Sequence, residues 1–168
     1  MSHMKRKRGY LIYVVTLCIV ASLAGVFFPF FGEGVEKGQV IYFNPNAILF
    51  GGEVSGAAGG HYYGFALSLN IPLLAFAMVH IVALFASLSA RNTPRLLVAT
   101  LVLEVILLVG IGFSRFGFLA VNPSLYGGGL VFGPGFYVSL IGALVGLFIC
   151  VLELILCIRF KHKRDAFR

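Results

Sequence analysis

Three ionisable residues, His80, Glu104 and Glu153, stand inside otherwise apolar runs. In "LVATLVLEVILLVG", Glu104 has Thr100 as its one polar neighbour. A charge at the centre of a membrane helix costs about 2.5–3.5 kcal/mol on insertion scales, so intramembrane ionisable groups call for a role. Three roles fit: a proton or cation relay, an interhelical hydrogen bond, or a contact with a partner subunit. A histidine beside two carboxyl groups forms an ion pair, or one carboxyl keeps its proton because like charges disfavour joint ionisation. Counted from the helix ends, the three residues lie about 13, 13 and 8 Å into one leaflet. They are expected to converge inside a helix bundle.

Other chemistry lacks its residues. The sequence has no HExxH, GxSxG or CxxC pattern and no paired aspartates, which disfavours protease, lipase and thiol-redox activity. His80 is the one histidine clearly inside a helix, too few for haem ligation, and no cofactor or metal is expected. The clusters "GGEVSGAAGG" and "YGGGLVFGPG" lack the Lys-Ser/Thr ending of a phosphate loop. A lipid-handling enzyme would have Glu53 with His61 as its sole candidate pair. The chain therefore reads as non-catalytic.

The elements that hold these residues follow from composition. The 168 residues are 60% hydrophobic and 11% charged, against about 45–50% and about 25% in soluble domains. Four spans are long enough for a bilayer core of about 30 Å: Tyr10–Phe31, Gly64–Ser89, Arg95–Ser114 and Gly135–Ile158. Residues 1–168 form a single integral membrane domain, with outer loops at 32–63 and 116–134. Met1–His3 reads as a cloning remnant that sets His3 aside, and Met4 as the native start. The 13 Lys and Arg against 6 Asp and Glu suggest nucleic acid until their positions are read. Lys5–Arg8, Arg91 with Arg95, and Arg159–Arg168 gather on one side, leaving Lys37 and Arg115 on the other. This asymmetry places both termini in the cytoplasm, here of a bacterial plasma (inner) membrane, and gives no reason to expect nucleic acid.

Finer features complete the expectation. Gly135, Ser139, Gly142, Gly146 and Cys150 form a small-residue stripe on the fourth span, suited to close helix packing and continuing to Glu153. Cys18, Cys150 and Cys157 all fall in spans, so the outer loops have no disulfide framework. Val40–Phe43 and Ala47–Phe50 flank Asn44-Pro45-Asn46 and read as an outer β-hairpin. Tyr42, Phe43, Asn44, Pro45, Asn122 and Pro123 are the outer-loop contact candidates. "FPFFG", "NP" and "GFALSL" recur in order as "FSRFG", "NP" and "GFYVSL", which reads as duplication of a two-helix unit. The layout resembles the claudin-type tetraspan arrangement in topology, yet the chain has no tryptophan and no outer cysteine pair, so the residues marking that family are absent.

The fold class expected is an all-α, four-transmembrane-helix bundle with a small extracytoplasmic β-hairpin cap. The function expected is an accessory, assembly or sensing subunit acting through outer loops and small-residue helix faces. Its partners would be membrane lipids and another membrane protein, or itself as a homo-oligomer. The alternative is an oligomeric small transporter or channel coupled through His80, Glu104 and Glu153.

Overall fold

The computed structural model describes residues 2–35, 38–90, 94–125 and 129–165. Helix α1 (Ser2–Val26) leads into strands β1 (Phe31–Gly34) and β2 (Val40–Tyr42) and a short helix α2 (Pro45–Phe50). Strands β3 (Gly52–Ala58) and β4 (His61–Leu67) precede two long helices, α3 (Ile71–Ala90) and α4 (Pro94–Val121). A 3-10 turn (Pro123–Leu125), strand β5 (Gly129–Phe132) and helix α5 (Pro134–Asp165) complete the chain. Lys37, Arg91 and residues 166–168 lie outside the described residues, as does the linker 91–93.

Three helices are long and apolar enough to cross a membrane: α3, α4 over Arg95–Val121, and α5 over Pro134–Arg159. Their outward faces carry Phe85, Val102, Phe113, Phe148 and Ile155, all exposed. Such an apolar exterior suits lipid and not water. The apolar part of α1 is shorter, Tyr10–Val26.

Contacts along the helices fix their directions. Cys18 and Ser22 of α1 meet Gly146 and Ser139 of α5, respectively, so those helices are antiparallel. Thr16 meets Ser87 and Ser22 meets His80, so α1 and α3 are antiparallel too. Phe76 packs on Gly110 and Pro72 on Gly117, which makes α3 and α4 antiparallel. The start of α1 and the end of α5 therefore share one end of the bundle, and every strand lies at the other.

The cap is built from local signals. Asn44 caps α2 by accepting from Asn46 N–H at 2.9 Å, and Pro45 fills the first helical turn, where its missing donor costs nothing. Gly51, at φ 79°, ends the helix. This overturns the hairpin read at Val40–Phe43 and Ala47–Phe50. Asn-Pro is a helix start here, and only Val40–Tyr42 is strand. The hairpin of the cap is β3–β4, registered from Gly52↔Leu67 to Ala58↔His61. Gly59 and Gly60 turn it with φ of 59° and 86°, the doubly positive pattern of a type I′ turn. The remaining strands form one antiparallel sheet in the order β2-β1-β5.

Phenylalanine cements cap to helices. Phe31 stacks on Phe118 of α4 at 4.5 Å, and Phe132 on Phe136 of α5 at 3.8 Å. Phe43 lies 5.2 Å from Phe65. Gly133 and Gly135 donate to the Phe30 and Pro29 carbonyls at 2.9 and 3.0 Å, tying the start of α5 to the end of α1.

Several expected boundaries move. The first helix ends at Val26 instead of Phe31, because Pro29 forces the residue before it out of the helical region. Gly64–Leu67 belongs to β4, and α3 starts after Asn70, whose Oδ1 accepts from Leu73 N–H at 3.0 Å. The third helix runs past Ser114 to Val121 and stops at Asn122-Pro123, which shortens the second outer loop. The repeat has no structural counterpart. "GFALSL" starts in a strand and "GFYVSL" is helical, while "FPFFG" enters β1 and "FSRFG" is inside α4.

Candidate functional site

The polar residues of the bundle are arranged in layers. Nearest the cap, α3 presents His80, which is fully buried. Its Nδ1 donates to the Phe76 carbonyl at 3.0 Å, one turn back on the same helix. Its Nε2 lies 2.8 Å from Ser22 Oγ on α1. Ser22 Oγ is also 2.9 Å from the Ser139 carbonyl of α5, and Ser139 Oγ returns a hydrogen bond of 2.7 Å to the Ser22 carbonyl. Three helices are thus pinned at one level.

The Ser22 hydroxyl has one proton and two waiting acceptors. With Nδ1–H committed to Phe76, a neutral His80 ring takes the Ser22 proton at Nε2. A charged ring donates from Nε2 instead and releases that proton to Ser139. The hydrogen bond that Ser22 Oγ gives the Ser139 carbonyl therefore depends on the charge of His80, while the return bond from Ser139 Oγ does not.

The next layer holds Glu104. It is fully buried, and neither carboxyl oxygen has a hydrogen-bond partner. It fits here because Gly146 has no side chain: a Cβ there would stand 2.6 Å from Glu104 Oε1 and 3.2 Å from Cys18 Cβ. Below it, Cys150 Sγ lies 3.7 Å from the Leu97 carbonyl, joining α5 to α4. Glu153, also fully buried, follows Gly146 by seven residues on α5, about 10 Å along the axis. Its Oε1 lies 3.9 Å from Cys157 Sγ.

All three expected residues thus point inward, but they do not form one cluster. His80 lies roughly one helical turn nearer the cap than Glu104, as Ser22 does relative to Cys18, and it bonds to serine and backbone. The register of α1 on α3 and α5 sets these levels, and counting from helix ends could not.

The small-residue stripe is consumed inside the bundle. A Cβ on Gly142 would come within 2.8 Å of Ser22 N and 2.9 Å of the Cys18 carbonyl oxygen. On Gly135 it would overlap the Gly25 carbonyl oxygen. The stripe therefore seats α1 along most of its length and meets α4 at Gly146 and Cys150. The outer candidates divide. Tyr42 is exposed, Asn44 and Pro45 start α2, and Pro123 opens the 3-10 turn. Phe43 and Asn122 are buried, Asn122 Oδ1 accepting from Ser68 N–H at 2.7 Å. Glu53 and His61 sit at opposite ends of β3–β4, so they make no catalytic pair.

Sequence reading passed over two buried cap residues. Glu33, in the central strand β1, is buried with Oε2 unpartnered. Burial pushes its carboxyl above the ordinary range, partly offset by a hydrogen bond from the Gly129 backbone. Asn70 is buried with Nδ2 unpartnered. A lone glutamate in "FGEG" carries no periodic signal, but "NIP" before an apolar run is a helix-start signal that would have placed Asn70. Among the described residues, no group of three or more His, Cys, Asp or Glu could hold a metal ion. No protein-family model matches the chain, and no curated protein is detectably similar to it.

Proposed function

We propose that this chain is a four-span, non-catalytic membrane subunit that presents its β3–β4 hairpin to a partner protein on the extracytoplasmic side. The carrying observation is Tyr62, 90% exposed near the tip of a hairpin whose outer edges are unpaired among the described residues. Val54 and Leu67 anchor the base, Gly56 rests on Ile41, and Gly59 N–H donates to Gln39 Oε1 at 2.8 Å. Unpaired edges invite a further strand, and natural proteins usually blunt them with charge. Here Glu53, at the base, is the only Asp, Glu, Lys or Arg in the two strands. A partner's extended segment would add to the edge, with Tyr62 supplying an aromatic anchor.

The fourth span in this reading is α1. Its apolar part is at the lower limit of about 17 residues for crossing, and its partners on α3 and α5 are buried polar groups. The basic residues near the chain ends then face the cytoplasm. Paired charges on the edge, Ser55→Lys with Ala57→Lys, and separately Tyr62→Ala, are expected to abolish recovery of a partner cross-linked in native membranes. Undiminished recovery with an unchanged gel-filtration profile would sink the hairpin reading.

A second reading, proton or cation transport by an oligomer, is favoured by the buried, unpartnered Glu104 and the proton-dependent bonding of Ser22. Glu104→Gln is expected to abolish proton-coupled flux in liposomes under that reading. Equal flux would end it.

A further inference from the structure

Glu104 sits in a closed layer of the bundle. It is 0% exposed, and neither carboxyl oxygen has a hydrogen-bond partner. Its carboxyl lies against Gly146 of α5, which Cys18 of α1 also meets. Thr100, four residues back on α4, gives its hydroxyl proton to the Leu96 carbonyl at 2.8 Å. Counted from the Phe76–Gly110 contact, α3 brings the fully buried Ala83 near this level. The titratable groups on the inner faces of the neighbouring helices are Cys18 on α1, His80 on α3, and Cys150, Glu153 and Cys157 on α5. Among the described side chains the arginines are Arg95, Arg115 and Arg159, all exposed, so none of them faces the carboxyl.

Such surroundings select the species that can bind. A hard metal cation takes about six or more oxygen ligands, whereas thiols and a committed hydroxyl surround Glu104. Among the described residues no group of three or more His, Cys, Asp or Glu could hold a metal ion. A carboxylate with neither a donor nor a cation is strongly disfavoured in an apolar interior, while the acid is uncharged. A proton also needs no cavity.

Direction follows from what lies above and below. Cys150 and Glu153 follow Gly146 by four and seven residues, about 6 and 10 Å along α5, and both are fully buried. Glu153 Oε1 stands 3.9 Å from Cys157 Sγ, and half-buried Cys157 is two residues from exposed Arg159. Toward the cap, the His80, Ser22 and Ser139 side chains bond to one another and to backbone. Val26, Phe30, Ile111 and Phe136 are buried beyond them.

We propose that Glu104 is a proton-binding site that exchanges through Glu153 with the compartment at the chain ends and is sealed from the cap side. Glu153 takes the proton from water near the end of the bundle. About 10 Å is too far for direct transfer, so the proton crosses the Cys150 level on transiently admitted water. Proton binding here rests on the second reading's buried carboxyl and adds the species bound and its side of entry. It requires no flux to the cap side.

Infrared difference spectra of the full chain in lipid vesicles read the carboxylic acid directly. A buried-acid band at neutral pH, lost in Glu104→Gln, is expected. The rate at which that band shifts after transfer to D₂O reports access to the site. Glu153→Gln should slow the shift severalfold, and Glu153→Asp should restore most of the rate. Ser114→Ala, on the cap side of α4, should leave it unchanged. Melting temperatures show whether each variant folds. A spectrum without a band assignable to Glu104 would overturn the site. Exchange unaffected by Glu153→Gln, or slowed equally by Ser114→Ala, would overturn the side of entry. Absent flux with the band and its Glu153 dependence intact would end the transport reading and leave the proton site standing.

Discussion

Single residues in this protein carry unusual exposure to their surroundings. Glu33 holds its proton to higher pH in the folded cap than in the unfolded chain, where a carboxyl has its ordinary value of 4.5. Between those two points the folded state binds more protons, so stability falls as pH rises through the window. The cap should therefore melt at a lower temperature at about pH 7 than at about pH 5, and Glu33→Gln should flatten that slope and stabilise the cap at neutral pH by on the order of 1 kcal/mol. Thermal melts followed by hydrogen exchange at β1 check both. Ser22→Ala leaves His80 Nε2 and the Ser139 carbonyl without their shared hydroxyl, a loss of about 1–3 kcal/mol in detergent melts. That His80, Glu104 and Glu153 are unusual was legible in the sequence, since each interrupts an apolar run. Their bonding was not, because Ser22 and Ser139 are distant in sequence and neither is an unusual residue in a membrane helix.

Elements were legible wherever a pattern was long. The apolar runs behind α3, α4 and α5 needed only counting. Short elements depended on which of two local meanings won. Asn44-Pro45 reads as a turn or as a helix start, and the following Ala-Ile-Leu-Phe run is too short to settle the matter by period. It becomes a helix because Ala47, Ile48 and Leu49 bury one face in the cap. Asn44→Ala should destabilise α2 by about 1 kcal/mol, visible as faster exchange of Ala47 and Ile48 amides. The stripe on α5 was recognised as a packing surface, and its neighbour turned out to be α1. Gly142→Ala drives a methyl against the α1 backbone, with an expected cost of about 1–3 kcal/mol in melts that report α1 docking.

At the scale of the whole molecule, the helices alternate in direction and the strands gather at the end opposite both chain ends. If that end is extracytoplasmic, Tyr62→Cys should react with an impermeant maleimide in intact cells, and a tag at the N-terminus should react only after lysis. The reverse pattern would refute the orientation. The sequence alone determined that this chain has apolar helices suited to lipid and which polar residues interrupt them. Those follow from composition and from the one-dimensional spacing of charge. The tertiary structure decided the rest: that the stripe seats α1, that three ionisable groups sit in layers, that β3–β4 is the hairpin, and that Asn70 Nδ2 is buried without a hydrogen-bond partner. Each depends on the register of one element against another, and register is set by pairwise contacts between residues that the order of the chain keeps apart.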